Sequence, residues 1–221
     1  MAMKRFVDLS HALEDGMDAY PGLPRPKIGA LLDHEESRSH YDGQAEFYLG
    51  KVDMICSLGT YLDSPFHRYP DAADLSQVPL EAVAGVPGIV LDAIVADDRS
   101  VTLDCSESEL YGRAVLIRTG WDQRWGTSSY WEPAPYLAGE SIDLLIGSKA
   151  TLVGVDFWNA DNTMDLTRPA HTRLLASNIL IVENLCNLSM LPRTGFRFYA
   201  VPPRIVRGAS FPVRAFAEIS E

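Results

Sequence analysis

The chain has 221 residues, of which 47% are hydrophobic and 22% are charged, the usage of an ordinary globular protein. Its 19 basic residues against 30 acidic ones give a formal net charge of 19 − 30 = −11. Binding to nucleic acid or to anionic membranes needs clustered Lys and Arg, so this charge argues against both. The length suits one domain, and we expect a single domain over residues 1–221.

Seven short apolar segments, bounded by Gly, Pro and Asp, predict β-strands. Their alternation of apolar and polar residues is weak, so we expect several strands to be buried on both faces. In chain order these segments are residues 6–9, 47–56, 89–95, 114–117, 151–155, 179–182 and 196–201.

Three segments predict short helices, at residues 106–111, 140–149 and 171–176. The first begins with Ser-x-Ser-Glu, the second places apolar side chains on one face, and the third follows Arg168-Pro169. The prolines between residues 21 and 26 predict an extended, turn-rich segment. The pattern indicates a strand-rich α/β fold with long loops, where functional sites usually lie.

The cysteines and the N-terminal segment indicate the compartment. Cys56, Cys105 and Cys186 are odd in number and have no regular spacing, so we expect buried free thiols rather than disulfides or a metal knuckle. Residues 1–11 lack the apolar stretch of a signal peptide, and no run reaches transmembrane length. A cytoplasmic location is therefore expected.

The segment from Ser57 to His67 is the densest candidate for chemistry. It follows a predicted strand, and Gly59 and Pro65 interrupt it. Because proline disfavours helix at the preceding residue, Asp63 and His67 are not simply one helical turn apart. We expect both on a loop that aims them at a common point. An Asp–His pair suits Zn²⁺ or Mn²⁺, and a hydrogen-bonded loop pair explains the same residues.

A second candidate runs from His171, at the start of a predicted helix, to Glu183, at the end of an apolar strand. A carboxylate ending a buried strand is costly unless it is paired or binds metal, so a site role competes with a solvated strand end or an arginine partner. Asp156 and Asp161 follow another apolar strand, where carboxylates orient ligating histidines or cap turns.

The remaining histidines have no spacing that is typical of a site. They are His11, His34 and His40, and we expect each of them in a polar loop.

The order of these segments resembles the bacterial kynurenine formamidase-like, or cyclase, family, which also contains isatin hydrolase-like enzymes. The family signature is His-x-Gly-Thr-His-x-Asp-x-Pro-x-His, and residues 57–67 read Ser-x-Gly-Thr-Tyr-x-Asp-x-Pro-x-His. Further matches in family order span nearly the whole chain: Asp8-Leu-Ser-His11, Tyr20-Pro-Gly22, Leu116-Ile-Arg-Thr-Gly-Trp121, Val153-Gly-Val-Asp156, His171-x-x-Leu-Leu, Glu183-Asn-Leu185 and Pro212-Val-Arg214.

This resemblance implies a swivelling β/β/α fold, assembly into homodimers or homotetramers, and one or two divalent ions such as Zn²⁺ or Mn²⁺. It implies hydrolysis of a small amide, lactam or lactone, or the related ring closure. The metal-ligand or catalytic positions that it implies are Asp63, His67, His171 and Glu183, with Asp63 able to bridge two ions in a two-metal member.

Two family histidines are replaced here, by Ser57 and Tyr61. Their neutral oxygens are weak zinc ligands, so the ion that those histidines bind in the family should lose its tight site. We therefore expect at most one divalent ion, at the four positions that are retained.

Three functions stay open. The first is a hydrolase or cyclase with that one ion. The second is a metal-independent cyclase, dehydratase or isomerase in which His67 is the base, Glu183 or Asp63 orients it, and Tyr61 is the acid or oxyanion donor. The third is a catalytically inactive binding protein.

Among the aromatic residues, Trp158 is our first choice for stacking on a planar substrate, and we also expect Ser57 to bind the substrate.

Overall fold

The computed structural model describes residues 3–220, and it confirms the predicted strand-rich α/β fold. The strands in this range are β1 (Lys4–Asp8), β2 (Lys27–Leu32), β3 (Leu49–Asp53), β4 (Tyr61–Asp63), β5 (Ala84–Asp92), β6 (Ile94–Val95), β7 (Ser100–Thr102), β8 (Ala114–Arg118), β9 (Tyr136–Leu137), β10 (Leu152–Val155), β11 (Leu180–Glu183), β12 (Phe196–Tyr199), β13 (Ser210–Pro212) and β14 (Phe216–Ser220). The helices are α1 (His34–His40), α2 (Glu107–Leu110), α3 (Gly139–Gly147) and α4 (Pro169–Ala176).

Within the described residues, nine strands form one sheet in the order β1-β14-β12-β5-β8-β10-β11-β4-β13. Its centre, from β5 to β11, is parallel, and the flanking pairs are antiparallel. Strands β10 and β11 are buried along their whole length, as the weak alternation predicted. Strands from both ends of the chain, β1 and β14, pair with each other. The single domain stays a prediction, which this pairing supports.

The central sheet separates two apolar cores. Alternate residues of a strand face opposite sides, so Leu116 lies in one core and Val115 in the other. Helices α3 and α4 cover the second core through Leu145 and Leu174. Each such aliphatic side chain contributes about 1.5–3 kcal/mol when it is fully buried. This face of the sheet, beneath α4, is the one that carries the site.

Sequence signals at the helix ends are visible in the structure. The backbone N–H of Ser106 donates to the carboxylate of Glu109 at 3.0 Å, which places α2 where the Ser-x-Ser-Glu pattern predicted it. Helix α1 was not predicted, and it begins with a capping box in which Asp33 accepts from the backbone N–H of Glu36 at 2.8 Å. The prediction that His34 and His40 lie in loops was therefore wrong.

Strands β2 and β3 form a separate antiparallel hairpin outside the large sheet. Every residue of β3 is exposed, so the strand predicted at residues 47–56 exists but is not buried. All three cysteines are free, but only Cys186 is buried. Cys56 is exposed and Cys105 is partly exposed, so the expectation of a buried thiol was wrong for these two. An apolar segment predicts a strand, but it does not show whether that strand is buried in the core or exposed in a separate pair of strands.

Within residues 3–220, no helix combines the length and the apolar character needed to cross a bilayer.

Candidate active site

Strand β4 carries two of the predicted residues. It pairs antiparallel with β11, which sets Tyr61 opposite Glu183. Leu62 points into the first core, so Tyr61 and Asp63 face the other side of the sheet, together with Glu183. Asp63 was expected on a loop, but it is the last residue of this strand.

A 3₁₀ turn over Pro65–His67 follows β4 and returns His67 toward Asp63. The backbone of Ser64 is extended, as expected for a residue before proline. His67 Nδ1 lies 3.8 Å from Asp63 Oδ1, so the predicted convergence of the two side chains is present.

His171 reaches the same point from the first turn of α4. Its Nδ1 lies 2.6 Å from Asp161 Oδ2, and the other Asp161 oxygen accepts the backbone N–H of Ala170 at 2.5 Å. Asp161 belongs to the loop after β10, where a carboxylate was predicted either to orient a histidine or to cap a turn. It does both, and His171 Nε2 is thereby directed toward Asp63.

Asp63, His67 and His171 form a group of side chains that could hold one metal ion. Asp63 is fully buried, and its Oδ2 has no hydrogen-bond partner among the described residues. His171 Nε2 lies 3.6 Å from this oxygen, too far for a hydrogen bond. Ligands about 2.1 Å from a tetrahedral zinc ion are about 3.4 Å apart, so the separation fits an ion between the two atoms. One carboxylate and two imidazoles are donors that Zn²⁺ or Mn²⁺ accepts.

Glu183 lies beside this group. Its Oε1 accepts the backbone N–H of Ala160 at 2.6 Å and lies 3.5 Å from His171 Nε2. Its Oε2 accepts a hydrogen bond from the hydroxyl of Tyr61. Both oxygens therefore have protein donors. The roles of Glu183 as ligand or as catalytic group stay predictions.

The buried charges shift one another's protonation. Burial by itself lowers the pKa of His171, but three surrounding carboxylates outweigh it and raise the pKa to about 10. Burial raises the pKa of Glu183 to about 7, although the His171 cation opposes the rise. Burial also favours protonated Asp63, yet the two histidines and the Ser210 hydroxyl hold its pKa below the ordinary value. A carboxyl group that titrates near neutral pH suits acid–base catalysis.

Ser57, Tyr61 and Trp158, all predicted site residues, line one narrow cleft together with Tyr20 and Asn184. About 10 Å³ of it is open to the centre of a water molecule, which is room for about one water. Trp125 and Trp131 line this cleft and also a neighbouring cavity of about 450 Å³. The cleft and the cavity therefore adjoin.

A sequence-family model described as "Putative cyclase" matches residues 7–162, which is more than half of the chain. The chain belongs to the Cyclase family. It is 25% identical to a kynurenine formamidase of Bacillus cytotoxicus over 97% of this chain and 98% of that protein. It is 27% identical to an isatin hydrolase of Roseibium aggregatum over 81% of this chain and 78% of that protein.

The solved structure of isatin hydrolase A from Labrenzia aggregata, bound to benzyl benzoate, shares the fold of this Cyclase-family chain. The TM-score is 0.79 at 24% identity, and the match covers 99% of this chain and 94% of the other. Both the family and the fold implied by the sequence resemblance are thereby confirmed.

Sequence reasoning missed two residues near the site. Ser210 is 2% exposed and bonds to Asp63, and its only signal was its place two residues before the closing segment at Pro212. His11 lies outside the helices and strands, as expected, but it was given no place in a site; its ring stacks on Trp125 with 3.8 Å between centroids and lines the larger cavity. Burial lowers the pKa of His11 to about 4, so the stacked ring is neutral at pH 7.

Proposed function

We propose that this Cyclase-family protein is a hydrolase of a small amide, lactam or lactone, and that one divalent ion at Asp63, His67 and His171 serves the reaction. The observation that carries the proposal is the buried Asp63 Oδ2, which has no hydrogen-bond partner among the described residues and lies 3.6 Å from His171 Nε2. A buried carboxylate oxygen without a hydrogen-bond partner is costly; the His171 cation offsets part of that cost in the metal-free protein, and a metal ion bound between the two atoms would take its place. The names of the two relatives, kynurenine formamidase and isatin hydrolase, support a C–N bond as the target.

Glu183 is proposed as the acid–base group. A bound ion of this kind polarises a carbonyl and lowers the pKa of a water. Glu183, whose pKa burial raises in the metal-free protein, is placed to accept a proton from that water and to return it to the leaving nitrogen or oxygen. The hydroxyl of Tyr61 and the backbone N–H of Ala160 hold its two oxygens in place during the transfer.

The substrate is proposed to enter through the larger cavity. Its volume of about 450 Å³ is typical of small-molecule sites, whereas the narrow cleft has room for little more than a carbonyl group or a water. The reacting carbonyl then lies beside Tyr61, and Trp158 and Ser57 contact the adjoining part of the substrate. Trp158 is held by a hydrogen bond of 3.0 Å from its Nε1 to the carbonyl of Glu132.

Metal content and hydrolysis, measured on the same preparation, test this proposal. We expect about one Zn²⁺ or Mn²⁺ per chain by elemental mass spectrometry, and loss of the ion in Asp63→Asn and His171→Gln. Isatin and N-formylkynurenine serve as cyclic and linear amide probes. Activity that disappears with a chelator and returns with metal supports the hydrolase.

The alternative is metal-independent acid–base chemistry by His67, Tyr61 and Glu183, as in a cyclase, dehydratase or isomerase. The direct hydrogen bond between Tyr61 and Glu183 favours it, because this pair needs no ion to be assembled. A chain that binds no metal, turns over a substrate in a chelator and loses turnover in Glu183→Gln would replace the first proposal with this one. If the protein turns over no probe, with or without metal, the third hypothesis of a non-catalytic binding protein is favoured.

We also propose that the protein is a homo-oligomer, a homodimer or homotetramer, and that the β2–β3 hairpin takes part in the interface. Leu31, Phe47, Leu49 and Val52 of this hairpin and its flank are each more than half exposed. Apolar patches on a projecting element are typical of interaction surfaces. Light scattering after size exclusion gives the mass, and Leu49→Asp should reduce it. The cytoplasmic location stays a prediction.

A further inference from the structure

Ser210 lies at the start of β13, directly opposite Asp63 in the antiparallel pairing with β4. Its side chain is 2% exposed, and its hydroxyl donates to Asp63 Oδ1. The same hydroxyl oxygen lies 3.2 Å from His67 Nδ1. Ser210 therefore bridges two of the three proposed metal ligands without belonging to the group itself.

Counting hydrogens fixes the direction of both bonds. A serine hydroxyl has one hydrogen, and Asp63 receives it, so Ser210 can only accept from His67. The neutral imidazole then carries its proton on Nδ1 and keeps its lone pair on Nε2. On Asp63, the hydroxyl takes one lone pair of Oδ1, and Oδ2 is the oxygen without a partner among the described residues.

His171 is prepared in the same way by another residue. Asp161 bonds to its Nδ1 at 2.6 Å, which leaves Nε2 directed toward Asp63. Each histidine thus has its Nδ1 bonded to a neighbouring residue, one to a carboxylate and the other to a hydroxyl, which leaves Nε2 of the neutral ring with the lone pair.

We propose that Ser210 is a positioning residue of the ion site: it fixes His67 as the Nδ1–H tautomer, with the lone pair on Nε2, and it holds the carboxylate of Asp63 through Oδ1 so that Oδ2 is presented to the ion. The ion itself rests on the proposed function, whereas the tautomer of His67 does not.

Metal affinity is the first test, made on the full chain by competition with a chromogenic zinc chelator. Ser210→Ala should bind Zn²⁺ about 10–100-fold more weakly than the wild type, the usual cost of losing a residue that orients a ligand. Ser210→Thr keeps the hydroxyl and should restore most of the affinity. Ser141→Ala is the matched control, because Ser141 is also a buried serine but donates to the Val101 carbonyl in another part of the fold.

The tautomer of His67 is the second test, made by ¹⁵N NMR of the imidazoles in metal-free protein. The chain has five histidines, so His67→Gln assigns the signal. The neutral ring should be protonated on Nδ1 in the wild type and in Ser210→Thr. In Ser210→Ala it should move toward the Nε2–H form that free imidazoles prefer in water.

The outcomes separate the two proposals. A wild type that binds no zinc overturns the proposed ion but leaves the NMR result to decide the role of Ser210. An Nε2–H tautomer in the wild type, or an affinity in Ser210→Ala within about threefold of the wild type when zinc does bind, overturns the role of Ser210. Both tests require that Ser210→Ala is folded. Its unfolding midpoint is therefore compared with that of Ser141→Ala.

Discussion

Tyr61 stands at a position of the family signature where a histidine is usual, and it still contacts the candidate site. Its hydroxyl donates to Glu183 instead of leaving a gap. Burial raises the pKa of Tyr61 far above its ordinary value, and the nearby carboxylates raise it further. The phenol is therefore neutral at pH 7 and remains a hydrogen-bond donor. A neutral phenol is a weak zinc ligand, which agrees with a site for one ion rather than two.

Tyr61→Phe tests this role through the pH dependence of the reaction. The hydrogen bond from Tyr61 favours the charged carboxylate of Glu183, so its removal should raise the Glu183 pKa. If Glu183 is the base, the rising limb of kcat/KM should move to higher pH while the metal content stays constant. Tyr136→Phe is the control, because its hydroxyl contacts another carboxylate, Asp98, at 3.2 Å. An unmoved limb would remove Glu183 from the role of base.

His11 gives a second prediction at this scale, about stability in acid. Burial lowers the pKa of His11 from 6.5 to about 4, so between these values the unfolded chain binds a proton that the folded chain does not. The free energy of unfolding should therefore fall as pH falls from about 6.5 through 4, by at most about 3 kcal/mol. His11→Asn should lose this part of the acid sensitivity.

Urea unfolding at about pH 7 and about pH 4.5 gives the free energy of unfolding of wild type and of His11→Asn. The difference between the two proteins is then compared at the two pH values, so that the contributions of the other titrating groups cancel. The control for the substitution itself is His34→Asn, on the exposed helix α1. A wild-type-to-His11→Asn difference that is equal at both pH values would contradict the assignment.

At the scale of elements, the central sheet depends on close approach between strands. Gly88 of β5 lies against the ring of Phe196 in β12, and a Cβ at this position would overlap the ring. Gly88→Ala should destabilise the protein by about 1–3 kcal/mol, as overpacking of a core does. Gly29→Ala in the exposed β2 is matched, since a Cβ there would meet no atom within 4 Å, and it should change stability little. Equal denaturation midpoints for the two variants would contradict this account.

Some strands could be predicted from the sequence, and others could not. Strands β10 and β11 were predicted because buried parallel strands are continuous apolar runs. Strand β4 was taken for a loop, because it has three residues and its partner β11 lies about 120 residues away in the chain. Local periodicity carries no information about such a pairing.

Some of the site residues could be predicted from the sequence, and others could not. Asp63, His67, His171 and Glu183 were proposed mainly because their order resembles a family, and the fold brings them together. Asp161 was foreseen only as one of several loop carboxylates, and Ser210 was not foreseen. A serine gains a role here from the strand register that sets it opposite Asp63, and that register is set by the whole sheet.

For the whole molecule, the site is assembled from distant parts of the chain. His11 lines the cavity from the N-terminal side, His171 comes from α4, and Ser210 comes from β13 near the C-terminal side. An ion that joins Asp63 of β4 to His171 of α4 would bind only the folded chain. Binding should then stabilise the fold by mass action, independently of any catalysis.

Zinc should consequently raise the melting temperature. At a free Zn²⁺ concentration about 100 times Kd, the expected stabilisation is about 2.7 kcal/mol, which corresponds to roughly 5–10 °C for a chain of this size. Asp63→Asn should abolish the shift. It should also lower the melting temperature of the metal-free protein, because the fold holds the Asp63 pKa below its ordinary value and so stabilises the charged carboxylate, and the shift is therefore measured against each variant's own metal-free value. Asp92→Asn, at an exposed carboxylate, should leave the shift intact. An equal shift in wild type and Asp63→Asn would place the zinc elsewhere, for which a surface with a net charge of −11 offers many carboxylates.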